Sequence, residues 1–257
     1  MEMYDPAKDS WIPKAEMPEG LCAHSACAYK GKIYVFGGVS PHPHASATKN
    51  VFVYDPKNDT WSQKADMPFE NAFIGIAVVN DIIYLAGGMQ NALAAPISTL
   101  QAYNPSTDSW TEKAPMPTAR GMLSACAVKG KIYAIGGTEN FMSSSFNLVE
   151  VYDPATDTWT TKTGMPTPRV SPSTCEMKDK IYVVGGYTFP VMYDLNEMYN
   201  PGADNWTTKS PMQETRQTCF LGSVGNKLYA IGGSSFDPAT GTVNILSSVE
   251  EYDFSRD

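Results

Sequence analysis

The sequence predicts an all-β fold, a five-bladed β-propeller of four-stranded antiparallel blades spanning residues 1–257 as a single domain. Three observations predict it. Tryptophans recur at intervals of 50, 49, 49 and 47 residues, other residues keep phase with them, and every copy reads as short strands between tight turns. No segment holds a helical apolar period over the roughly 10–12 residues that a helix needs, so helices are not expected.

The phase markers are Trp11, Trp61, Trp110, Trp159 and Trp206. Each follows a Tyr by seven residues (Tyr4, Tyr54, Tyr103, Tyr152, Tyr199). Each precedes a Gly-Gly pair whose first member lies 26 residues on, at Gly37, Gly87, Gly136, Gly185 and Gly232. Asp two residues before Trp, Lys three after and Met six after recur in all five copies. Self-similarity at this period marks a repeat architecture, in which each unit buries its faces only by stacking on its neighbours. Length varies in one segment alone: from the second Gly to the next Tyr the spacing is 16, 15, 15, 13 and 19 residues. A packed framework fixes lengths, whereas surface connections tolerate insertions and carry function. Binding is therefore expected in these segments, the connections between strands two and three of each unit.

The third copy shows the four strands. LSACAV (123–128) and IYAIGG (132–137) flank a tight KGK turn; NLVEVYD (147–153) and TWTTK (158–162) flank PATD. β-branched and aromatic runs bounded by Gly, Pro and Asp are strand signals. In the turns, Pro presets φ and Asp caps neighbouring N–H groups. Such units repeated about an axis make a propeller. Lys14, Lys64, Lys113, Lys162 and Lys209 then fall on the outermost strand, where Lys discourages edge-to-edge pairing. Innermost strands carry small residues in one register, Cys27, Ala77, Cys126, Cys175 and Gly222. The cysteines read as small core residues, because one thiol per blade is poor metal geometry.

Gly-Gly, then Tyr-Asp-Pro, then Trp and Met-Pro, recurring in phase over essentially the whole chain, resembles the Kelch-repeat family of β-propellers. The resemblance implies a ring whose last blade is completed by the opposite chain end. Tyr4-Asp5-Pro6 with Trp11 reads as a fourth strand without its blade, and Tyr252-Asp253-Phe254 as a third strand whose Trp would fall at 259. The N-terminal strand is thus expected to complete the C-terminal blade, closing a five-bladed monomer. A piece of a larger ring, or association with another copy, are the alternatives.

Composition excludes several classes. A net charge of −8 argues against nucleic acid, and no apolar run reaches the roughly 18–20 residues of a membrane span. Five cysteines without C-x-x-C, and a start without a signal-peptide pattern, point to a reducing, cytoplasmic setting. No cofactor and no metal are expected; His42 and His44 lack a third ligand.

Three of the four arginines, Arg120, Arg169 and Arg216, share one phase just after Met-Pro, where copies one and two carry Leu21 and Asn71. Guanidinium groups leading into innermost strands offer a bidentate anion site near the channel mouth. The competing reading is that each ties adjacent blades together through backbone hydrogen bonds. The variable segments add His42, Asn140, Phe141, Tyr187, Phe189 and Phe236, and aromatic groups beside arginines suit a peptide or sugar. These residues, with Asn71, form the candidate ligand-binding set, and no catalytic residue is assigned. The expected function is a non-catalytic scaffold for a protein, peptide or other ligand, with an acidic peptide or acidic sugar as partner. The resemblance also implies an alternative, a carbohydrate-active enzyme of the sialic-acid epimerase or mutarotase kind. That would need an acid–base pair from Glu19, Glu70 or Glu139 with His24 or His42, and no spacing selects one.

Overall fold

The computed structural model describes residues 1–5, 7–40, 46–90, 94–140, 145–237 and 240–253. Every element among the described residues is a strand. A hairpin of β1 (Glu2–Asp5) and β2 (Ser10–Pro13) comes first. Blade one is β3 (Ser25–Tyr29), β4 (Lys32–Phe36), β5 (Val51–Asp55) and β6 (Thr60–Gln63). Blade two is β7 (Gly75–Val79), β8 (Ile82–Ala86), β9 (Leu100–Asn104) and β10 (Ser109–Lys113). Blade three is β11 (Ser124–Val128), β12 (Lys131–Ile135), β13 (Val149–Asp153) and β14 (Thr158–Lys162). Blade four starts with β15 (Ser173–Met177) and β16 (Lys180–Val184). A small hairpin, β17 (Tyr187–Thr188) and β18 (Val191–Met192), follows, and β19 (Asn196–Asn200) and β20 (Asn205–Lys209) complete the blade. Blade five has β21 (Phe220–Val224) and β22 (Lys227–Ile231), a second hairpin of β23 (Ser234–Asp237) and β24 (Thr242–Ile245), then β25 (Val249–Asp253). Strands within each blade pair antiparallel in chain order.

The expected closure differs. β2 pairs with β1, in the register Tyr4↔Trp11, and not with β25, so blade five shows three strands among the described residues. The chain start holds a Tyr strand and a Trp strand together, which is a strand 3–4 unit rather than a lone fourth strand. β25 already fills the third position of blade five, so the unit cannot enter that sheet whole.

Repeating residues build the contact from each blade to the one before. Tyr and Trp face each other across strands three and four, with ring centroids 4.8 Å apart for Tyr103 and Trp110 and 5.3 Å for Tyr152 and Trp159. The Tyr hydroxyl donates to the Asp five residues on, as in Tyr152 to Asp157 at 2.6 Å. That Asp sits at positive φ, a conformation Asp tolerates better than most residues. The same Oδ1 accepts a backbone N–H from beyond the preceding fourth strand: Ala15 for Asp59, Ala65 for Asp108, Ala114 for Asp157 and Thr163 for Asp204, at 2.9–3.0 Å. Trp61, Trp110, Trp159 and Trp206 return the bond, each Nε1 donating to the carbonyl of that same residue at 2.7–3.2 Å.

The core lies between blades. Tyr34, Phe36 and Val53 of blade one pack on Ile83, Leu85 and Tyr103 of blade two, and equivalent layers join blades two to three and three to four. Cys126 and Cys219 are buried as free thiols. Burial also pushes the Cys27 thiol up to about 12, which keeps it protonated.

The Gly-Gly pairs close the inner part of each interface. Gly38, Gly88, Gly137 and Gly186 donate their N–H groups to the carbonyls of Asn71, Arg120, Arg169 and Arg216 on the next blade, at 2.8–3.1 Å. That approach leaves no room beside the first glycine: a Cβ on Gly185 would lie 2.2 Å from the Arg216 carbonyl, while one on Gly232 meets only Leu246 O at 3.5 Å.

Gly185→Ala is accordingly expected to lower Tm well beyond Gly232→Ala. Both sit at φ near +60° (60° and 62°), costing alanine roughly 1–2 kcal/mol, but only the first adds a backbone clash. Paired thermal melts check this. A pH effect is also expected. The hydroxyls of Tyr54, Tyr152 and Tyr199, then the backbone N–H bonds, hold Asp59, Asp157 and Asp204 below the usual carboxylate range. A depressed folded-state pKa stabilises above the ordinary value of about 3.9 and is lost as pH falls through the folded value. Tm should therefore drop steeply on acidification below about pH 4, and the triple Asp59→Asn/Asp157→Asn/Asp204→Asn variant should show a flatter profile in melts across pH.

Candidate functional site

Each blade's lead-in segment, between the preceding Met and the innermost strand, meets the start of that blade's own strand 2–3 connection. Backbone bridges join Cys22 to Val39, Ala72 to Met89, Gly121 to Thr138, Val170 to Tyr187 and Gln217 to Ser234. One residue further on, the chain turns left-handed in every blade, at Ala23, Phe73, Met122, Ser171 and Thr218 (φ 50–57°). Side chains disfavour this conformation, and here neighbouring blades hold it. Phe73 N–H donates to Ala23 C=O, Met122 to Phe73, Ser171 to Met122 and Thr218 to Ser171, at 2.8–3.4 Å. The resulting belt borders a central opening of about 590 Å³ lined by Ala, Ser, Thr, Ile, Leu and Phe side chains, with His24 as its one ionisable ring. His24 opens to solvent on one side, and desolvation by the surrounding wall lowers its pKa, so the ring is neutral near pH 7.

The arginines do not supply the opening with charge. Arg120, Arg169 and Arg216 are 0% exposed. Arg120 pairs with Glu150 and donates to Ala134 O at 3.0 Å. Arg169 pairs with Glu197 at 2.5 Å and donates to Gly185 O at 3.0 Å. Arg216 pairs with Glu250 at 2.5 Å and Glu214 at 3.1 Å, and donates to Gly232 O at 2.9 Å. Burial pulls Arg120 and Arg169 below the ordinary guanidinium value, and the facing glutamates oppose it. Each Nε remains buried without a partner among the described residues. These side chains tie the lead-in of a blade to its own second and third strands; the anion-site expectation is corrected to this blade-tie role, because no guanidinium face is open. Asn71 takes the equivalent place in blade two, is 4% exposed, and donates to Gly87 O at 2.9 Å. In blade one Leu21 and Phe52 occupy the two sites, an apolar solution to the same position.

The other candidates scatter. Asn140 is exposed at the start of its loop, and its N–H donates to Thr138 Oγ1 at 3.1 Å. Tyr187 is half-buried, its hydroxyl 3.9 Å from Met122 Sδ, and burial raises its pKa. Phe236 is half-buried on β23. Phe189 is 72% exposed at the tip of β17–β18. His42 and Phe141 lie outside the described residues. Exposed apolar side chains that were not singled out by sequence include Val191 beside Phe189, Val243 and Ile245 on β24, and Phe220 and Val224 on β21. The ion-pair glutamates were missed too, although a Glu two residues before the repeat Tyr occurs in each blade that carries an Arg. Of the acids considered for catalysis, Glu19 accepts a bond from Asn50 Nδ2 at 2.7 Å, and none is bonded to His24 among the described residues. No group of three His, Cys, Asp or Glu that could hold a metal occurs among them.

A family model for the Kelch motif matches residues 20–68, 71–117, 119–166, 168–213 and 216–257, each span running from one lead-in to the next. This chain belongs to the Kelch family. No curated protein matches it in sequence. Among solved structures, the Kelch propeller described here is similar to YjhT, with a TM-score of 0.80 and 15% identity over 94% of this chain and 84% of that one. At that identity the likeness is one of fold.

The tie in this Kelch propeller has a measurable consequence. Glu197→Leu alone leaves Arg169 buried without its counter-charge and should cost about 3–5 kcal/mol in urea unfolding. Arg169→Met/Glu197→Leu together should recover most of it, as the Leu21 and Phe52 pair of blade one suggests.

Proposed function

We propose that this Kelch propeller is a non-catalytic module that binds a protein or peptide through its strand 2–3 connections, centred on blades four and five. The observation that supports the reading is the pair of hairpins there. β17–β18 presents Phe189 (72% exposed) and Val191 (52%), and β23–β24 presents Val243 (59%) and Ile245 (83%). Few large apolar side chains are exposed among the described residues, and exposed clusters of large apolar groups mark interaction surfaces. Both hairpins arise in the only segment whose length varies between repeats, which is where a rigid scaffold displays its function. With the arginines turned into the blades, the preference moves from acidic ligands to a partner with apolar anchor residues. The sugar-enzyme alternative came from the family resemblance and needs an acid–base pair, which no observation favours.

Panning a displayed peptide library on the immobilised chain tests this. Selected peptides should lose at least about tenfold in affinity for Phe189→Ser/Ile245→Ser, equivalent to roughly 1.4 kcal/mol, while Tm stays within about 1 °C. Undiminished binding by that variant would place the site elsewhere.

A further inference from the structure

Antiparallel order puts the strand 1–2 and 3–4 turns of each blade on the face opposite the strand 2–3 connections. An ion pair recurs there, from the lysine that opens strand two to a carboxylate on strand three. Lys32 meets Asp55 at 3.2 Å, Lys131 meets Asp153 at 2.8 Å and Lys227 meets Glu251 at 2.7 Å. Blade two has neither charge, with Ile82 and Asn104 at the two positions. Blade four keeps the cation and loses the anion. Lys180 meets Asn200, whose Oδ1 accepts from Lys180 Nζ at 2.7 Å and from Gly202 N–H at 3.1 Å. The amide holds its turn as Asp55 and Asp153 hold theirs, where Lys57 N–H and Ala155 N–H donate at 3.0 Å. It does not balance the ammonium charge, and Lys180 makes no ion pair among the described residues.

Lys180 lines a cleft of about 280 Å³ between blades three and four, together with Lys129, Lys131, Tyr133, Asp179 and Asn200. Lys129 is bridged to Asp179 at 2.9 Å and Lys131 to Asp153, so the unbalanced charge in the cleft is that of Lys180. Tyr133 is 6% exposed, and its hydroxyl has no hydrogen-bond partner among the described residues. Burial raises its pKa, with Lys131 opposing, Asp204 adding and Lys129 opposing, so the phenol is neutral and can donate. A buried donor without an acceptor has given up water for nothing in return. Tyr34, Tyr84 and Tyr182 hold the same register on strand two of their blades. The next blade offers them Ile82, the paired Lys131 and the paired Lys227, and only Tyr133 is followed by an unbalanced lysine.

From this unbalanced ammonium and the unpartnered buried hydroxyl beside it, we propose that the cleft binds a phosphate group, as the free ion or a small monoester. Lys180 and Tyr133 are its donors, and Lys129 and Lys131 add positive field. An ammonium carries three N–H donors, and Asn200 takes one. Lysine recognises phosphate as a point charge, and a tetrahedral anion accepts from several directions at once, which suits donors that come from two different blades. The cleft is smaller than the roughly 300–1,000 Å³ of sites for drug-sized ligands, which matches a small anion. This proposal does not depend on the hairpin reading above, and concerns the opposite face.

Titrating inorganic phosphate into the isotope-labelled intact chain at low ionic strength tests this by NMR, because the amides of the cleft report directly. The Lys131, Lys180 and Gly202 resonances should shift together along one saturating curve, with a Kd of about 1 mM or tighter. Asn200→Asp installs the carboxylate that blades one and three carry at this position, so it keeps the turn and the fold, which a melt of the free variant verifies. It should weaken phosphate binding at least about tenfold, and Lys180→Met should do the same. Tyr133→Phe removes only the hydroxyl and should cost about threefold or more. O-phosphoserine in the same titration separates the two sources. Binding at least about tenfold tighter than inorganic phosphate assigns the cleft to an ester, and equal or weaker binding assigns it to the free ion. Shifts that do not saturate, or that persist undiminished in the Asn200→Asp chain, overturn the proposal.

Discussion

The structure depends on a backbone bond between blades: the N–H of the second glycine donating to the carbonyl of the next blade's lead-in residue. That bond brings the backbones so close that a Cβ on the first glycine of blades one to four would lie 2.1–2.6 Å from the same carbonyl oxygen, so no other residue type fits there. Once blades approach this closely, the left-handed residues at the channel rim can hand N–H groups from one blade to the next. A conformation that costs energy in isolation becomes a continuous belt. The Tyr–Asp–Trp group then repeats the logic at the outer edge, with a carboxylate and an indole gripping one peptide unit of the preceding blade. Inner belt and outer grip bracket the apolar layers between them.

This arrangement explains why buried arginines appear in some blades and not others. The lead-in must be anchored to its own blade so that its carbonyl is presented at a fixed height to the glycine pair. Arg with Glu does this in blades three to five and Asn71 does it in blade two, while blade one carries Leu21 and Phe52 at the two positions. A buried ion pair costs about as much in desolvation as it returns in attraction. Interchange with an apolar pair at equivalent sites of one chain fits that balance. The site that looked most chemical in the sequence is thus part of the scaffold, and the rim hairpins with Phe189 and Ile245 are what the scaffold displays.

Legibility followed periodicity. Strand order, the Tyr–Trp register and the small inner-strand residues were all readable, because each recurs five times at fixed spacing. The fate of Arg120, Arg169 and Arg216 was readable in principle, since Glu150, Glu197 and Glu250 keep phase with them, but the pairing crosses about thirty residues and no local pattern announces it. The hairpins were not readable. Val191 and Val243 sit in segments without a repeat to compare against, and exposure there is decided by how far a short turn projects. The chain start was misread for a specific reason: Tyr4 and Trp11 bind each other, so they travel as a pair of strands.

Whether the glycine-to-carbonyl bond is the element that joins blades, and whether it ends at blade five, is best measured by amide hydrogen exchange at the five equivalent second glycines. The account predicts strong protection at Gly38, Gly88, Gly137 and Gly186 and exchange at least about a hundredfold faster at Gly233, equivalent to roughly 2.7 kcal/mol of local stability. Protection of Gly233 equal to the other four, in the chain alone, would contradict it.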